Sequence, residues 1–178
     1  MTENRTENRT AGGFVLGAAT VAMGLGAGAF YTFACAVMPG LARSDDQVFV
    51  DAMRNMNDAI LNPVFFLSFF GALLLTGVSA WQLRAAPHRK WVWAGLAAYT
   101  LTFLITVMVN IPLNEELADT GNSASTARED FEDMWVAWNV VRTLLSTLAL
   151  AFLVRALVLH GRQTSAYLAS AAGSRASR

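Results

Sequence analysis

Four long apolar stretches with few charged residues constrain the fold of this chain more than any other feature. In chain order they lie at about residues 13–38, 63–83, 91–112 and 134–160. A helix needs about 20 apolar residues to cross the hydrocarbon core, whereas barrel strands need about 10 residues of alternating polarity. The sequence therefore predicts an all-α integral membrane four-helix bundle, with one transmembrane domain at residues 13–162.

The composition excludes several classes of protein. Apolar residues make up 54% and charged residues 15%, against about 45–50% and about 25% in soluble domains. Thirteen basic and thirteen acidic residues balance, so a nucleic-acid partner is not expected and the lipid bilayer is. Cys35 is the single cysteine, and His88 and His160 are the two histidines. Because the histidines lie at isolated helix ends, no metal site is predicted.

Basic residues indicate the orientation in the membrane. Nine of the thirteen lie in the terminal segments, in the loop at 84–90 and at the adjacent helix ends, together with only two acids. Because positive loops stay inside, both termini are expected in the cytoplasm and the protein in the plasma membrane. The polar end at 1–12 is predicted to be a disordered tail, and that at 163–178 a frayed C-terminal tail. An arginine-rich composition with one lysine is typical of high-GC bacteria.

The two outer loops differ in character. Residues 47–61 place apolar side chains at helical spacing, which predicts a short amphipathic helix in the first loop, with Asn57 at the border of its apolar face. Asn62 is expected to cap span two, with Pro63 in the first turn. Acidic residues after the second loop predict that span four extends outward from about 125–127.

Glycines recur at four-residue spacing in span one. Gly13 pairs with Gly17, and Gly24 pairs with Gly28. Small residues at this spacing let helices approach closely in lipid. This packing serves a bundle or a dimer equally well, so the sequence leaves the oligomeric state open.

Polar side chains form stripes near the outer ends of the spans. Tyr31 and Cys35 share a face of span one. Pro112 is expected to kink or end span three. The stripe of span three consists of Thr102, Thr106, Asn110 and Asn114, and that of span four consists of Trp135, Trp138, Asn139, Arg142 and Ser146.

Arg142 lies about 12 Å inside the outer end of span four, by the helical rise. A mid-membrane arginine costs about 2.5–3.5 kcal/mol even on lenient scales, so it must face protein or water and find acceptors. One interpretation is a structural clamp between helices; the other is an outward-facing pocket in which Arg142 holds an anion or a carbonyl oxygen. Trp138 could stack on a flat ligand or simply pack. The candidate acceptors are Asn139, Asn110, Asn114, Glu115 and Asp58.

Several short motifs occur in a fixed order along the chain. Met38-Pro-Gly-Leu comes first, and Asn57 and Asn62-Pro follow; Asn110-Ile-Pro-Leu-Asn and Trp135-Val-Ala-Trp-Asn-Val-Val-Arg lie on consecutive spans. Together, over residues 14–160, they resemble the anthrone oxygenase family of small four-span membrane proteins. The family takes its name from fungal members linked to the oxidation of an anthrone to an anthraquinone.

The resemblance implies a cofactor-independent oxidation of a flat aromatic small molecule. Arg142 with Asn139, Asn110 or Asn114 would stabilise an enolate oxygen, and Glu115 or Asp58 would act as a base. A non-enzymatic binding or assembly protein remains the alternative, and a transporter fits less well because no internal repeat is evident. The residues implied in substrate binding are Trp138, Trp135, Tyr31, Asn57 and Asn62.

Overall fold

The computed structural model of the protein describes residues 2–119, 121 and 123–176. All regular structure in those residues is helical. The helices are α1 (Thr2–Thr32), α2 (Met38–Leu41), α3 (Asp46–Ile60), α4 (Pro63–Gln82), α5 (Arg89–Ile105), α6 (Ile111–Ala118) and α7 (Ala124–Ala176). Two five-residue π turns, Phe33–Val37 and Thr106–Asn110, join α1 to α2 and α5 to α6.

Four helical stretches are long and apolar enough to cross a membrane. They are Thr10–Leu41, Pro63–Gln82, Arg89–Ala118 and Ala124–Tyr167. In the bundle, α1 packs on α4 and α7, while α5 packs on α4 and α7. The predicted four-helix membrane bundle is confirmed, and the chain is a multi-pass membrane protein.

The helix ends differ from the predicted boundaries. Helix α1 begins at Thr2 and α7 ends at Ala176, so both helices extend beyond the predicted spans into the segments at 1–12 and 163–178. Neither stretch contains proline, and the alanine-rich second one favours helix propagation from the adjoining span. Met1 and residues 177–178 of those tails lie outside the described residues.

Two apolar clusters hold the molecule together. One lies within the bundle, where Tyr99 of α5 is fully buried and its hydroxyl donates to the Phe69 carbonyl of α4 at 3.2 Å. The other lies outside it, where Phe49 and Met53 of α3 are fully buried near Phe131 of α7. Outward-facing leucines such as Leu67 and Leu74 remain exposed, as expected of a surface covered by lipid.

The predicted amphipathic helix and its flanking signals are confirmed. Helix α3 covers nearly the predicted stretch and buries Phe49, Val50 and Met53. The Asn62 side chain caps α4 by accepting from the Val64 and Phe65 backbone N–H groups, both at 3.0 Å. Helix α7 begins at Ala124, close to the expected outward extension of span four.

The glycine pattern predicts only part of the close packing. A Cβ on Gly13 would lie 3.2 Å from the His160 ring, but one on Gly17 or Gly28 would meet nothing within 4 Å. The tightest approach is at Gly95 of α5, where an added Cβ would lie 2.9 Å from Leu153 and 3.3 Å from the Ala149 carbonyl of α7.

Replacing Gly95 with valine should therefore destabilise the bundle. Overpacking of this kind typically costs about 1–3 kcal/mol. Thermal unfolding in detergent checks this, with Gly77→Val as the control because a Cβ there meets nothing within 4 Å. Equal melting temperatures for the two variants would contradict the close approach of α5 and α7.

Candidate functional site

The two π turns share a cause in the sequence. Each comes just before a proline, Pro39 or Pro112, whose ring would clash with the carbonyl four residues earlier in a regular helix. The wider turn is visible in the i→i−5 hydrogen bonds from Met38 N–H to the Phe33 carbonyl and from Ile111 N–H to the Thr106 carbonyl. The expectation that Pro112 kinks or ends span three is thus corrected in part: the helix continues to Ala118 through the wider turn.

Arg142 of α7 is buried, with 4% of its surface exposed. One terminal nitrogen donates to the Asn139 side-chain oxygen at 3.0 Å, and the other donates to the Thr106 hydroxyl at 3.3 Å. Of the five predicted acceptors, Asn139 alone accepts a hydrogen bond from it in the described residues. The partner from the neighbouring span is the Thr106 hydroxyl and not an amide.

No carboxylate among the described residues forms an ion pair with Arg142; the ion pairs in this part of the chain belong to Arg128. The guanidinium instead lies over the Phe30 ring at 4.6 Å and near the Trp135 ring at 5.4 Å, measured to the ring centroids. Its buried Nε finds no acceptor in residues 2–119, 121 and 123–176. A charge held only by neutral groups retains the capacity to bind an anion or a polarised oxygen.

Two other asparagines of the predicted site form hydrogen bonds with Trp135. The Asn114 side-chain oxygen accepts from the Trp135 indole N–H at 2.8 Å, and the Asn110 amide donates to the Trp135 carbonyl at 3.5 Å. The Asn139 amide donates to the Phe30 carbonyl at 3.2 Å, which connects α7 to α1. These bonds fix the aromatic rings beside Arg142.

A cavity of about 470 Å³ opens beside Arg142. Helix α3 contributes Arg54, Met56 and Asn57 to one end of the cavity, and α4 contributes a wall of phenylalanines. The remaining walls come from α1, the two π turns, α6 and α7. The polar residues that line it are Arg54, Asn57, Asp58, Thr106, Asn114, Glu115, Asn139 and Arg142, and the aromatic ones are Phe30, Phe33, Phe65, Phe66, Phe69, Phe70 and Trp135.

The structure brings together five of the nine predicted site residues around this cavity. They are Arg142, Asn139, Asn114, Trp135 and Asn57. Asn57 is half-buried, and its amide nitrogen has no acceptor within the described part of the chain.

Four predicted residues do not line the cavity. Asn110 is buried beside it. Trp138 is half-buried on α7 at the edge of the face that carries Trp135, Asn139 and Arg142, and it does not line the cavity. Tyr31 is 59% exposed on α1. The Asn62 side chain is occupied as the cap of α4.

The phenylalanine wall is the part of the site that the polar stripes did not indicate. Phe65 and Phe69 stack at 5.5 Å between ring centroids, and Phe69 stacks on Phe103 of α5 at 5.4 Å. Two Phe-Phe pairs one helical turn apart in span two, 65–66 and 69–70, are the signal that could have predicted it.

The two histidines meet at the opposite end of the bundle. The His88 and His160 rings are 5.3 Å apart between centroids, and both are buried. The prediction that they are isolated is therefore wrong, because the loop before α5 folds against α7. No group of three or more potential metal-ligating His, Cys, Asp or Glu side chains occurs in the described residues.

Burial lowers the pKa of His88 from its usual 6.5, the neighbouring His160 lowers it further, and Gln163 opposes both. As the pH falls through about 6.5 the unfolded chain binds a proton before the folded one, so the free energy of unfolding decreases. We expect the melting temperature to fall between about pH 8 and about pH 5. His88→Gln should reduce this pH dependence; an unchanged slope would contradict the assignment.

Comparison with known proteins adds one finding. A family profile described as anthrone oxygenase matches residues 64–152, which is half of the 178-residue chain and includes α4, α5, α6 and the part of α7 that carries Arg142. No curated protein and no solved structure matches the chain significantly. On the strength of the profile match, the chain belongs to the anthrone oxygenase family.

Proposed function

We propose that the protein binds a flat aromatic ketone of the anthrone type in the cavity beside Arg142 and promotes its oxidation by dioxygen. The observation that carries this proposal is the buried guanidinium, which lines the cavity and has only neutral partners among the described residues. A cavity of about 470 Å³ is within the usual range of about 300–1,000 Å³ for small-molecule sites.

The aromatic walls suit the body of such a ligand. Phe30, Phe33, Phe65 and Trp135 present ring faces and edges around the cavity. Flat rings pack on these surfaces in offset or edge-to-face arrangements. Arg142 lines the same cavity, so a polar oxygen of the ligand can accept a hydrogen bond from its guanidinium.

The proposed chemistry begins with removal of a proton from the methylene carbon of the ketone. Asp58 and Glu115 line the same cavity and are the candidate bases. The electron pair of the broken C–H bond forms an enolate, whose oxygen accepts hydrogen bonds from Arg142. A preorganised cation at a developing oxyanion lowers the barrier without reorganisation.

Dioxygen then completes the reaction. The enolate carbon forms a bond to dioxygen, and the terminal oxygen of the resulting peroxide takes up the returned proton to give a hydroperoxide. The O–O bond and the second C–H bond then break, and water leaves. The methylene group becomes a carbonyl that contains one oxygen atom of dioxygen, and the other atom leaves as water. Because dioxygen accepts all four electrons, this scheme requires no metal or organic cofactor.

Purified protein in lipid nanodiscs tests the proposal. With an anthrone under air, quinone formation should exceed the uncatalysed rate, and labelled dioxygen should place one labelled atom in the new carbonyl. A rate equal to that of empty nanodiscs would refute it.

A structural clamp is the second candidate role for Arg142. Its hydrogen bond to Thr106 and its contact with Phe30 link α7 to the second π turn and to α1. A binding or assembly protein would need only this link. The behaviour of Arg142 variants, discussed below, separates the two roles.

We also propose that both termini are cytoplasmic and that the cavity lies at the outer side of the plasma membrane. The excess of basic residues near the termini and at 84–90 supports this orientation. In a Cys35→Ser background, a cysteine replacing exposed Val48 of α3 should react with an impermeant maleimide added to intact cells. Reaction only after lysis would contradict the orientation.

A further inference from the structure

We propose that the cavity opens sideways into the outer leaflet between α4 and the second π turn, so that its ligand enters from the bilayer as a neutral molecule. This inference deepens the proposed function, on which it rests for the identity of the ligand. It names the substrate class as membrane-dissolved aromatic ketones and excludes water-soluble anions.

The first observation is a set of apolar side chains that line the cavity and are also exposed. Phe66 and Phe70 of α4, Val107 of the π turn and Ile111 of α6 all line the cavity. In chain order, these residues are 38%, 43%, 43% and 41% exposed. Because these residues belong to stretches long and apolar enough to cross a membrane, we infer that their exposed surface faces acyl chains.

Aromatic packing marks the lower edge of this opening. Phe70 meets Phe103 of α5 with ring centroids 5.6 Å apart. Val107 lies one helical turn beyond Phe103, where the π turn widens the helix. The contact between Phe70 and Phe103 thus holds α4 and α5 together. The exposed lining residues Phe66 and Val107 lie about one helical turn from this contact.

Charges at the aqueous end disfavour the other route for an anion. Asp58 and Glu115 line the cavity and are exposed, so an approaching enolate would meet two carboxylates. Arg54 also lies there, where it donates to the Leu117 carbonyl at 2.7 Å and to the Asp119 carbonyl at 3.3 Å. Its single positive charge offsets only one of the two carboxylates, so this end of the cavity keeps a net negative charge. Like charges at an entrance slow association, whereas a neutral ketone in lipid meets only apolar side chains.

The consequence is an order of events at the site. The neutral ketone partitions into the bilayer, passes the wall of Phe66, Phe70 and Val107, and loses its proton only inside the cavity. Arg142 then meets the anion where it is formed.

Quenching of Trp135 tests the opening without any substrate. Trp135 lines the cavity and is 5% exposed. A variant that keeps it as the sole tryptophan, with phenylalanine at 81, 91, 93 and 138, is reconstituted into liposomes that contain the lipid-soluble nitroxide doxylnonane. We expect strong quenching, and loss of most of it in Val107→Phe, which places a ring across the opening.

The matched control is Met108→Phe. Met108 is exposed on the same π turn but does not line the cavity, so this variant should be quenched like its parent. Equal quenching in both variants, or quenching by aqueous acrylamide alone, would overturn the inference. If the single-tryptophan protein does not fold, the difference in quenching between wild type and Trp135→Phe gives the same comparison. Because no turnover is measured, a failure here is distinct from a failure of the proposed oxidation.

Discussion

Replacing Arg142 with glutamine is expected to lower the rate of anthrone oxidation by about 10²–10³-fold, the usual effect of removing one oxyanion donor. Folded protein should persist, because glutamine can still bond the Thr106 hydroxyl and the variant no longer buries a charge without a counter-ion. Placing an arginine in a membrane helix costs about 2.5–3.5 kcal/mol, which offsets the lost contacts. Quinone formation and thermal unfolding in the same preparation measure both effects.

The control for this variant is Arg155→Gln. Arg155 lies on the same helix but is exposed and distant from the cavity, so its loss should leave the rate unchanged. If Arg142→Gln instead lost its fold while the surviving protein kept its specific activity, Arg142 would be a clamp and the proposed role would be wrong.

Replacing Phe49 with alanine is expected to cost about 3–5 kcal/mol, as for other fully buried aromatic residues. The Phe49 ring contacts Phe131 of α7 at 6.3 Å and lies under the Arg128 guanidinium at 4.6 Å, both measured to its centroid. It fixes α3, which carries Arg54, Met56 and Asn57 of the cavity. We therefore expect weaker binding of an anthraquinone together with a lower melting temperature.

Val48→Ala provides the comparison for Phe49→Ala. Val48 precedes Phe49 on α3 but is 53% exposed, so truncating it should change the melting temperature little. Unimpaired anthraquinone binding by folded Phe49→Ala protein would mean that α3 does not shape the cavity.

The membrane bundle could be predicted from hydropathy because each span must exclude charge over a fixed thickness. The helix ends could not be predicted in the same way. From the sequence, Pro112 predicts a kink or the end of a helix. Whether a helix ends at a proline or continues through a π turn depends on how the residues after the proline pack. Here α6 continues because Leu117 is buried with Phe49 and Met53 in the apolar cluster outside the bundle.

The site was partly predictable for a similar reason. Helical spacing places Asn139 and Arg142 on one face, and their hydrogen bond follows from that spacing alone. The choice of Thr106 over Asn110 as the partner on span three depends on the relative rotation and height of two helices, which one sequence does not specify. The same limit explains why Trp138 was predicted beside the ligand although Trp135 lines the cavity.

The phenylalanine wall and the contact between the two histidines could not be predicted from the polar residues of the spans. Phe65 and Phe69 contribute shape and not charge, so nothing distinguishes them from ordinary lipid-facing residues until α4 packs against α1 and α5. His88 and His160 are 72 positions apart in the numbering, and their contact depends on how the short loop before α5 folds.

The most direct test of the central claim is the ionisation of a bound hydroxyanthraquinone, whose colour changes when its phenol loses a proton. If Arg142 stabilises an oxyanion in the cavity, the dye bound to wild-type protein should ionise at lower pH than free dye in lipid, and Arg142→Gln should abolish this difference while retaining the bound dye. Identical ionisation curves for the dye bound to wild type and to Arg142→Gln would contradict the account.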